Sequence, residues 1–338
     1  MEVLLVDSIL KETLSQYNQK KIKAEIAARK RKEDLYKKYP KFQNIDDQLT
    51  KLAISTTKTL INNNNKTLLK DLNNKIGVLK QEKNNLFKNL NIPIDYLEPH
   101  YECDLCKDTG YITNNDYTVS MCNCLKQKLY NEQYNKSNMS NLDTQNFDNF
   151  SDRFYSDTID EEKYHTQISP KENINLIKNI CLNFISNFDD KNQKNLLFTG
   201  NTGLGKTFLS SCIANEMIKK GKTVLYQTAP VMLDSIIDYR FGKTNDSKVL
   251  DNILDTDLLI IDDLGTECIN NLKFTELFNI INTRLLNQNN VTKTIISTNL
   301  SINNLFKTYD ERIVSRIVGN YDICYFFGDD IRFKKRNM

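Results

Sequence analysis

Eight consecutive residues, Gly200, Asn201, Thr202, Gly203, Leu204, Gly205, Lys206 and Thr207, fit the spacing G-x-x-x-x-G-K-[ST]. The chemistry of such a loop lies mostly in its backbone. Glycines let the chain curl so that several N–H groups converge on one phosphate, and a helix starting there adds its positive dipole end. Lys206 is then placed to reach the β- and γ-phosphates, and Thr207 to put its hydroxyl on Mg²⁺. The apolar run Leu196–Thr199 before the loop predicts a strand. Phe208, Leu209, Cys212, Ile213, Ala214 and Met217 after it predict a helix. A ligand-free glycine turn would not need the lysine and threonine in register, so the loop predicts binding of a nucleoside triphosphate.

Further polar residues fall where buried strands end. Leu258–Ile261 runs into Asp262 and Asp263. A strand ending this way delivers Asp262 to the carboxyl edge of a sheet, to hold Mg²⁺ directly or through water, with Asp263 next to the attacking water. Two acids capping the following helix is the plainer alternative. Ile295-Ile296-Ser297-Thr298-Asn299 repeats the pattern, with Asn299 either beside the γ-phosphate or at a helix cap. Arg312 and Arg316 are four apart and share one helix face. They read as surface ion-pairing groups or as an arginine finger for a neighbouring subunit's nucleotide. Arg332, after Gly328-Asp329-Asp330-Ile331, is a phosphate sensor or a solvated residue.

Of eight cysteines, Cys103, Cys106, Cys122 and Cys124 cluster within 22 residues, while Cys181, Cys212, Cys268 and Cys324 are scattered. Two thiolates spaced C-x2-C reach one tetrahedral ion, with Gly110 turning the chain away, so the cluster predicts structural zinc. The second pair, C-x-C, is tighter than usual, which leaves His100 as a substitute for one sulfur. Four protein ligands leave no open position for catalysis.

The elements that must position these groups follow from periodicity. Leu10, Leu14, Tyr17, Ile22 and Ile26 predict an apolar stripe on a helix over about 8–38, closed by Tyr39-Pro40. A second helix begins near Ile45, with a turn at Asn62–Asn65. A third carries Leu69, Leu72, Ile76, Leu79, Leu86 and Leu90. Residues 136–146 read as a polar linker. From Pro170 onward helices and strands alternate, which predicts a parallel sheet covered on both faces. The 338 residues suggest about two domains. A net charge of +3 is too small to argue for nucleic acid on its own, although Lys20, Lys21, Lys23, Arg29, Lys30, Arg31 and Lys32 form a basic run on a solvated helix face. No run approaches the ~18 apolar residues of a membrane span, and the start lacks a signal peptide's basic region. The expectation is a cytoplasmic protein with no membrane partner.

Taken together, GNTGLGKT, LLIIDDLGTE, IISTN, ERIVSRIVG and GDDIR resemble the AAA+ core of bacterial helicase loaders of the DnaC/DnaI type, to which the transposition ATPase IstB is related. KKYPKFQNID, NIPIDYLEPHYECDLCKDTGYI, CNCLK and FDNFSDRFYSD extend the resemblance to longer, DnaI-like members. The resemblance implies an α/β AAA+ P-loop domain at 147–338, after a mainly helical domain with a zinc module at 1–135. It implies Lys206 and Thr207 as Walker A, Asp262 and Asp263 as Walker B, Asn299 as sensor 1, Arg316 as arginine finger and Arg332 as sensor 2. It further implies an ATPase that uses ATP, Mg²⁺ and Zn²⁺ and self-associates through its ATP sites. Such a protein would deliver a hexameric replicative helicase onto single-stranded DNA. Aspartate at 263, where many AAA+ proteins have glutamate, suggests slow, switch-like hydrolysis. The basic and aromatic residues of Tyr239–Lys243 read either as a DNA contact that grips phosphates and stacks bases or, for the aromatics, as core packing. A transposase partner of the IstB kind and a non-hydrolysing ATP-binding adaptor are the rival readings.

Overall fold

Pro40 divides the first two helices. The residue before a proline is pushed out of the helical region, whereas proline itself suits the first helical position. Accordingly α1 (Glu2–Lys38) stops short of it and α2 (Pro40–Asn62) starts on it rather than near Ile45. α3 (Lys66–Asn89) lies along α2. The computed structural model describes residues 2–62, 66–135, 144–243, 248–268, 270–287 and 290–336. Part of the expected Asn-rich turn, 63–65, and most of the expected linker, 136–143, lie outside the described residues.

Leu35, Phe42 and Phe87 form the small core of the helical part, flanked by Tyr36, Tyr39, Leu86, Leu90, Ile92 and Leu97. The Phe42 and Phe87 rings lie 4.8 Å apart. The stripe expected on α1 is covered only in part. Leu10, Leu14 and Tyr17 are half-buried, but Ile22 and Ile26 are 44% and 57% exposed. Ala28 and Leu35 are buried instead. Periodicity selects a face of a long helix, while neighbouring elements decide which turns of that face are covered.

β1 (Tyr111–Thr113) and β2 (Val119–Met121) pair as a two-stranded sheet, and α4 (Asn123–Tyr130) follows. After α5 (Glu161–Tyr164), α6 (Pro170–Ser186) opens with Pro170 at its first turn and the Ser169 side chain accepting from Glu172 N. There follow β3 (Asn195–Gly200), α7 (Lys206–Lys219), β4 (Val224–Thr228), α8 (Ala229–Arg240), α9 (Val249–Asp255), β5 (Leu258–Leu264) and α10 (Asn271–Leu286). β6 (Lys293–Thr298), α11 (Ile302–Thr308), α12 (Glu311–Asn320), β7 (Tyr321–Phe326) and α13 (Ile331–Arg336) complete the order.

The five longer strands form one parallel sheet in the order β4-β5-β6-β3-β7. Their near-continuous apolar runs are what burial on both faces demands. Phe198, Tyr226, Ile260 and Ile295 pack in the core cluster that contains residues of α6 and α7. Leu197, Leu225, Ile261 and Ile296 pack with residues of α8, α9, α10 and α12. Each successive residue changes face, the period of two that a strand imposes. At the β4 edge the Gln127 side chain takes the place of a strand: Val224 N donates to Oε1 at 2.6 Å and Nε2 donates to Val224 O at 3.0 Å. An open edge would expose those groups.

The chain forms two compact units, Leu14–Val119 and Ser120–Met338, the latter together with Met1–Thr13. No helix among the described residues is long and apolar enough to cross a membrane.

Candidate nucleotide site and cysteine cluster

The loop between β3 and α7 adopts a conformation that only its glycines permit. Gly203 and Gly205 sit at φ +75° and +94°. A Cβ on Gly205 would lie 2.7 Å from the Tyr155 hydroxyl, which itself donates to Leu204 O at 2.9 Å. The loop borders a cavity of about 520 Å³, within the range of small-molecule sites. Thr202 to Thr207 line one side of it, and Asp263, Thr266, Asn299 and Arg332 the others. Gly200 and Asn201 contribute through their carbonyls. Lys206 Nζ donates to Gly200 O (2.6 Å), Asn201 O (2.7 Å) and Asn299 Oδ1 (2.8 Å). All three of its hydrogens are thus directed at neutral oxygens. Burial lowers the Lys206 pKa to about 8, despite the opposing pull of Asp263 and Asp262. A cation desolvated among carbonyls gains strongly from an anion delivered to it, so these groups fit a nucleotide's phosphates.

β5 carries both acids inside the strand, and a register irregularity between Ile261 and Leu264 separates their roles. Asp262 is buried. Its Oδ2 accepts from the Tyr226 hydroxyl at 2.9 Å, and its Oδ1 accepts from Ser297 Oγ. Asp263 has φ +55°, a left-handed conformation that aspartate tolerates better than most residues. Burial first, then the neighbouring charge of Asp262, raise its pKa. The bulge therefore aims Asp263 into the cavity and leaves Asp262 behind it, braced by two hydroxyls. Neither acid caps α10, which is capped by Asn270, and the cap of α11 is Ser301 rather than Ser297 or Asn299. Tyr226 and Ser297 were not expected in these roles. Tyr226 reads as one more apolar strand residue, and only the β4–β5 register places it beside Asp262.

The three arginines separate. Arg332 lines the cavity, with its Nε donating to Asp330 Oδ1 at 3.2 Å. Arg312 and Arg316 do not line it. Arg316 donates to Asn282 Oδ1 at 2.8 Å, and its guanidinium lies 4.6 Å from the Phe278 ring centre. Arg312 pairs with Asp310 at 2.9 Å. In the segment expected to meet DNA, Phe241 is 66% exposed, but Arg240 pairs with Glu276 and Lys243 with Asp238.

The ligand atoms of Cys103, Cys106, Cys122 and Cys124 all lie within 4.8 Å of one another. Four sulfurs around Zn²⁺ at about 2.3 Å would stand roughly 3.8 Å apart, so the set fits that ion. The C-x2-C turn is held by Asp108, whose carboxylate accepts from Glu102 N (3.0 Å) and Cys103 N (2.9 Å). Gly110, at φ +78°, redirects the chain as expected. His100 is exposed and outside the cluster.

A parallel sheet with a phosphate loop after β3, paired acids at the end of β5 and a polar residue just beyond β6 defines an AAA+ ATP-binding domain. Residues 115–337 match the family described as IstB-like ATP binding protein, and the chain belongs to that family. Among curated proteins it is similar to the replicative helicase loader DnaC of Escherichia coli K12, 27% identical over 151 residues, covering 44% of this chain and 60% of the relative. DnaC of Buchnera aphidicola subsp. Baizongia pistaciae is 29% identical over 154 residues, 45% and 61% of the two chains. The chain thus spans about three-fifths of these relatives. A solved structure of the DnaC helicase loader aligns at 25% identity and TM-score 0.41, covering 52% of this chain and all of that one.

Proposed function

We propose that the chain is an ATP-dependent loader that places a hexameric replicative helicase on single-stranded DNA. The observation that carries the reading is the separation of the polar groups. Lys206, Thr207, Asp263, Asn299 and Arg332 surround one cavity, while Arg316 stands outside it. A site that Arg316 of its own chain does not reach is completed by Arg316 of a second copy, which makes assembly depend on ATP. In this reading the loop N–H groups and Lys206 hold the phosphates, Thr207 holds Mg²⁺ with Asp262 reaching it through water, and Asp263 and Asn299 orient the water that attacks. Arg332 senses the γ-phosphate from its own subunit. The short arm of Asp263 makes hydrolysis slow, suiting a timing switch. ATP supplies the assembly energy, and its hydrolysis releases the loader. Cys103, Cys106, Cys122 and Cys124 hold a structural Zn²⁺ in the part that docks on the helicase.

The test is capture of the replicative helicase from the same cell by the full chain, with ATP, with ADP and with Lys206→Ala. ATP-dependent capture followed by helicase transfer to single-stranded DNA is the expected result. The sequence resemblance to the transposition ATPase IstB brings in one rival, ATP-dependent partnership with a transposase. Capture of a transposase and not the helicase would establish the rival instead.

A further inference from the structure

We infer that Glu267 and Tyr309 are positioning residues that tie the attacking-water side of one subunit's nucleotide site to the helix from which that subunit offers its arginine to a neighbour. The inference rests on the reading of Arg316 as acting in trans.

Glu267 is 6% exposed, and its two hydrogen-bond partners among the described residues are neutral. Its Oε1 accepts from the Tyr309 hydroxyl, and its Oε2 accepts from Gly265 N at 2.9 Å. A carboxylate buried among neutral donors is a poor way to stabilise a fold, since an apolar pair of similar volume would avoid the desolvation cost. Its position gives it another use. Glu267 ends the tight turn that leaves Asp263, in which Asp263 O accepts from Thr266 N (3.3 Å) and Thr266 Oγ1 (2.8 Å). Thr266 itself lines the nucleotide cavity. Gly265 keeps the turn close to Leu300, whose Cδ1 would lie 2.6 Å from any Cβ there.

At the other end of the link, Tyr309 is 5% exposed and packs edge-on against Phe274, ring centres 5.6 Å apart. Burial, and then the bond to Glu267, raise its pKa, so its hydroxyl remains a donor. The next residue, Asp310, caps α12 by accepting from Arg312 N at 2.8 Å. One hydrogen bond therefore fastens the start of the Arg312–Arg316 helix to the turn after Asp263. When the cavity fills and that turn settles around the γ-phosphate, Tyr309 carries the displacement to the first turn of α12. Coupling of this kind is a free energy between two sites carried by a contiguous contact.

The test uses the full chain with Tyr309→Phe, which deletes one hydroxyl and keeps the ring, and Glu267→Gln, which keeps the side-chain shape. Each is assayed for nucleotide affinity and ATP turnover, alone and mixed with excess Asp263→Asn, a subunit that retains its own Tyr309 and Arg316. The expected result is ATP affinity within about twofold of wild type and kcat lowered about tenfold, within the usual range of coupling. Asp263→Asn subunits, supplying correctly placed arginines, restore the rate. Arg316→Ala mixed with Asp263→Asn is the reference. If that mixture recovers and Tyr309→Phe does not, the damage lies in its own site and the positioning role is overturned while the arginine reading survives. If neither mixture recovers, the arginine reading fails and the inference falls with it. Wild-type turnover by both variants, or parallel loss of affinity and rate, also overturns it.

Discussion

Lys206 turns the nucleotide reading into a titration. In the free protein burial holds its pKa near 8, and phosphates arriving at Nζ raise it, because an opposite charge favours the ammonium. The bound state then takes up a proton that the free state has begun to release. Affinity is therefore fully present below pH 8 and weakens by about tenfold per unit between the free and bound pKa values, as linkage requires. Calorimetry of ATP binding in buffers of different ionisation enthalpy should show proton uptake above pH 8, absent in Lys206→Met. A flat affinity from pH 7 to 10 in the wild type would rule the lysine out as the phosphate ligand. Asp262 invites a second experiment. With Tyr226 and Ser297 hydroxyls on its two oxygens, Tyr226→Phe leaves a buried oxygen short of a donor, at a cost of about 1–3 kcal/mol. The Mg²⁺ concentration for half-maximal ATP turnover should shift, while binding of ATP without Mg²⁺ stays as it was. If the metal requirement is unchanged, the brace serves the fold and not the metal.

Elements separate what the sequence makes legible from what it does not. The phosphate loop is local: eight adjacent residues contain both the turn and its chemistry, so pattern and structure coincide. The order of strand-ending acids and the Asn299 strand is legible for the same reason. Gln127, Tyr226 and the Glu267–Tyr309 pair are not, because each acts on a partner 36 to 97 residues away. Only strand order and register bring such residues together. Gln127 also looks like an ordinary polar residue of a short helix, yet it finishes the β4 edge. Gln127→Ala should lower stability by about 1–3 kcal/mol, the range for leaving buried main-chain groups unpaired. Gln127→Glu should be worse at neutral pH, since a carboxylate has no donor for Val224 O, and should partly recover as acid protonates it. Denaturant unfolding of the three proteins checks the order, and equal midpoints would show that water replaces the side chain freely. The cysteine element makes a parallel prediction. Chelation should release one Zn²⁺ per chain and speed hydrogen exchange across 101–124, leaving β3 and β6 protected, because the sheet has its own core. Collapse of protection throughout the sheet would mean that the ion supports far more than its own turn.

On the scale of the whole chain, charge is unevenly divided. Residues 14–119 carry 19 Lys and Arg against 13 Asp and Glu, a balance of +6, so the remainder of a chain of net +3 is at −3. Four of the seven basic residues in the α1 run are also engaged: Lys20 with Glu102, Lys21 with Glu25, Lys32 with Asp46, and Arg31 with the carbonyls of Tyr96 and Glu98. Exposed pairs of this kind are individually weak, but each must be given up before its cation can meet a phosphate. The α1 run of a single copy therefore offers few uncommitted charges to nucleic acid, and the salt dependence of binding counts those contacts. Tight binding of single-stranded DNA should consequently require several copies side by side. Fluorescence anisotropy on a labelled oligonucleotide should give a steep, cooperative isotherm with ATP and a shallow, weak one with ADP. Under the proposed role of Arg316 in a neighbour's site, Arg316→Ala should reproduce the ADP curve even in ATP. If Arg316→Ala binds the oligonucleotide as tightly as wild type, DNA capture precedes assembly, and ATP must act at a later step, on the helicase or on release.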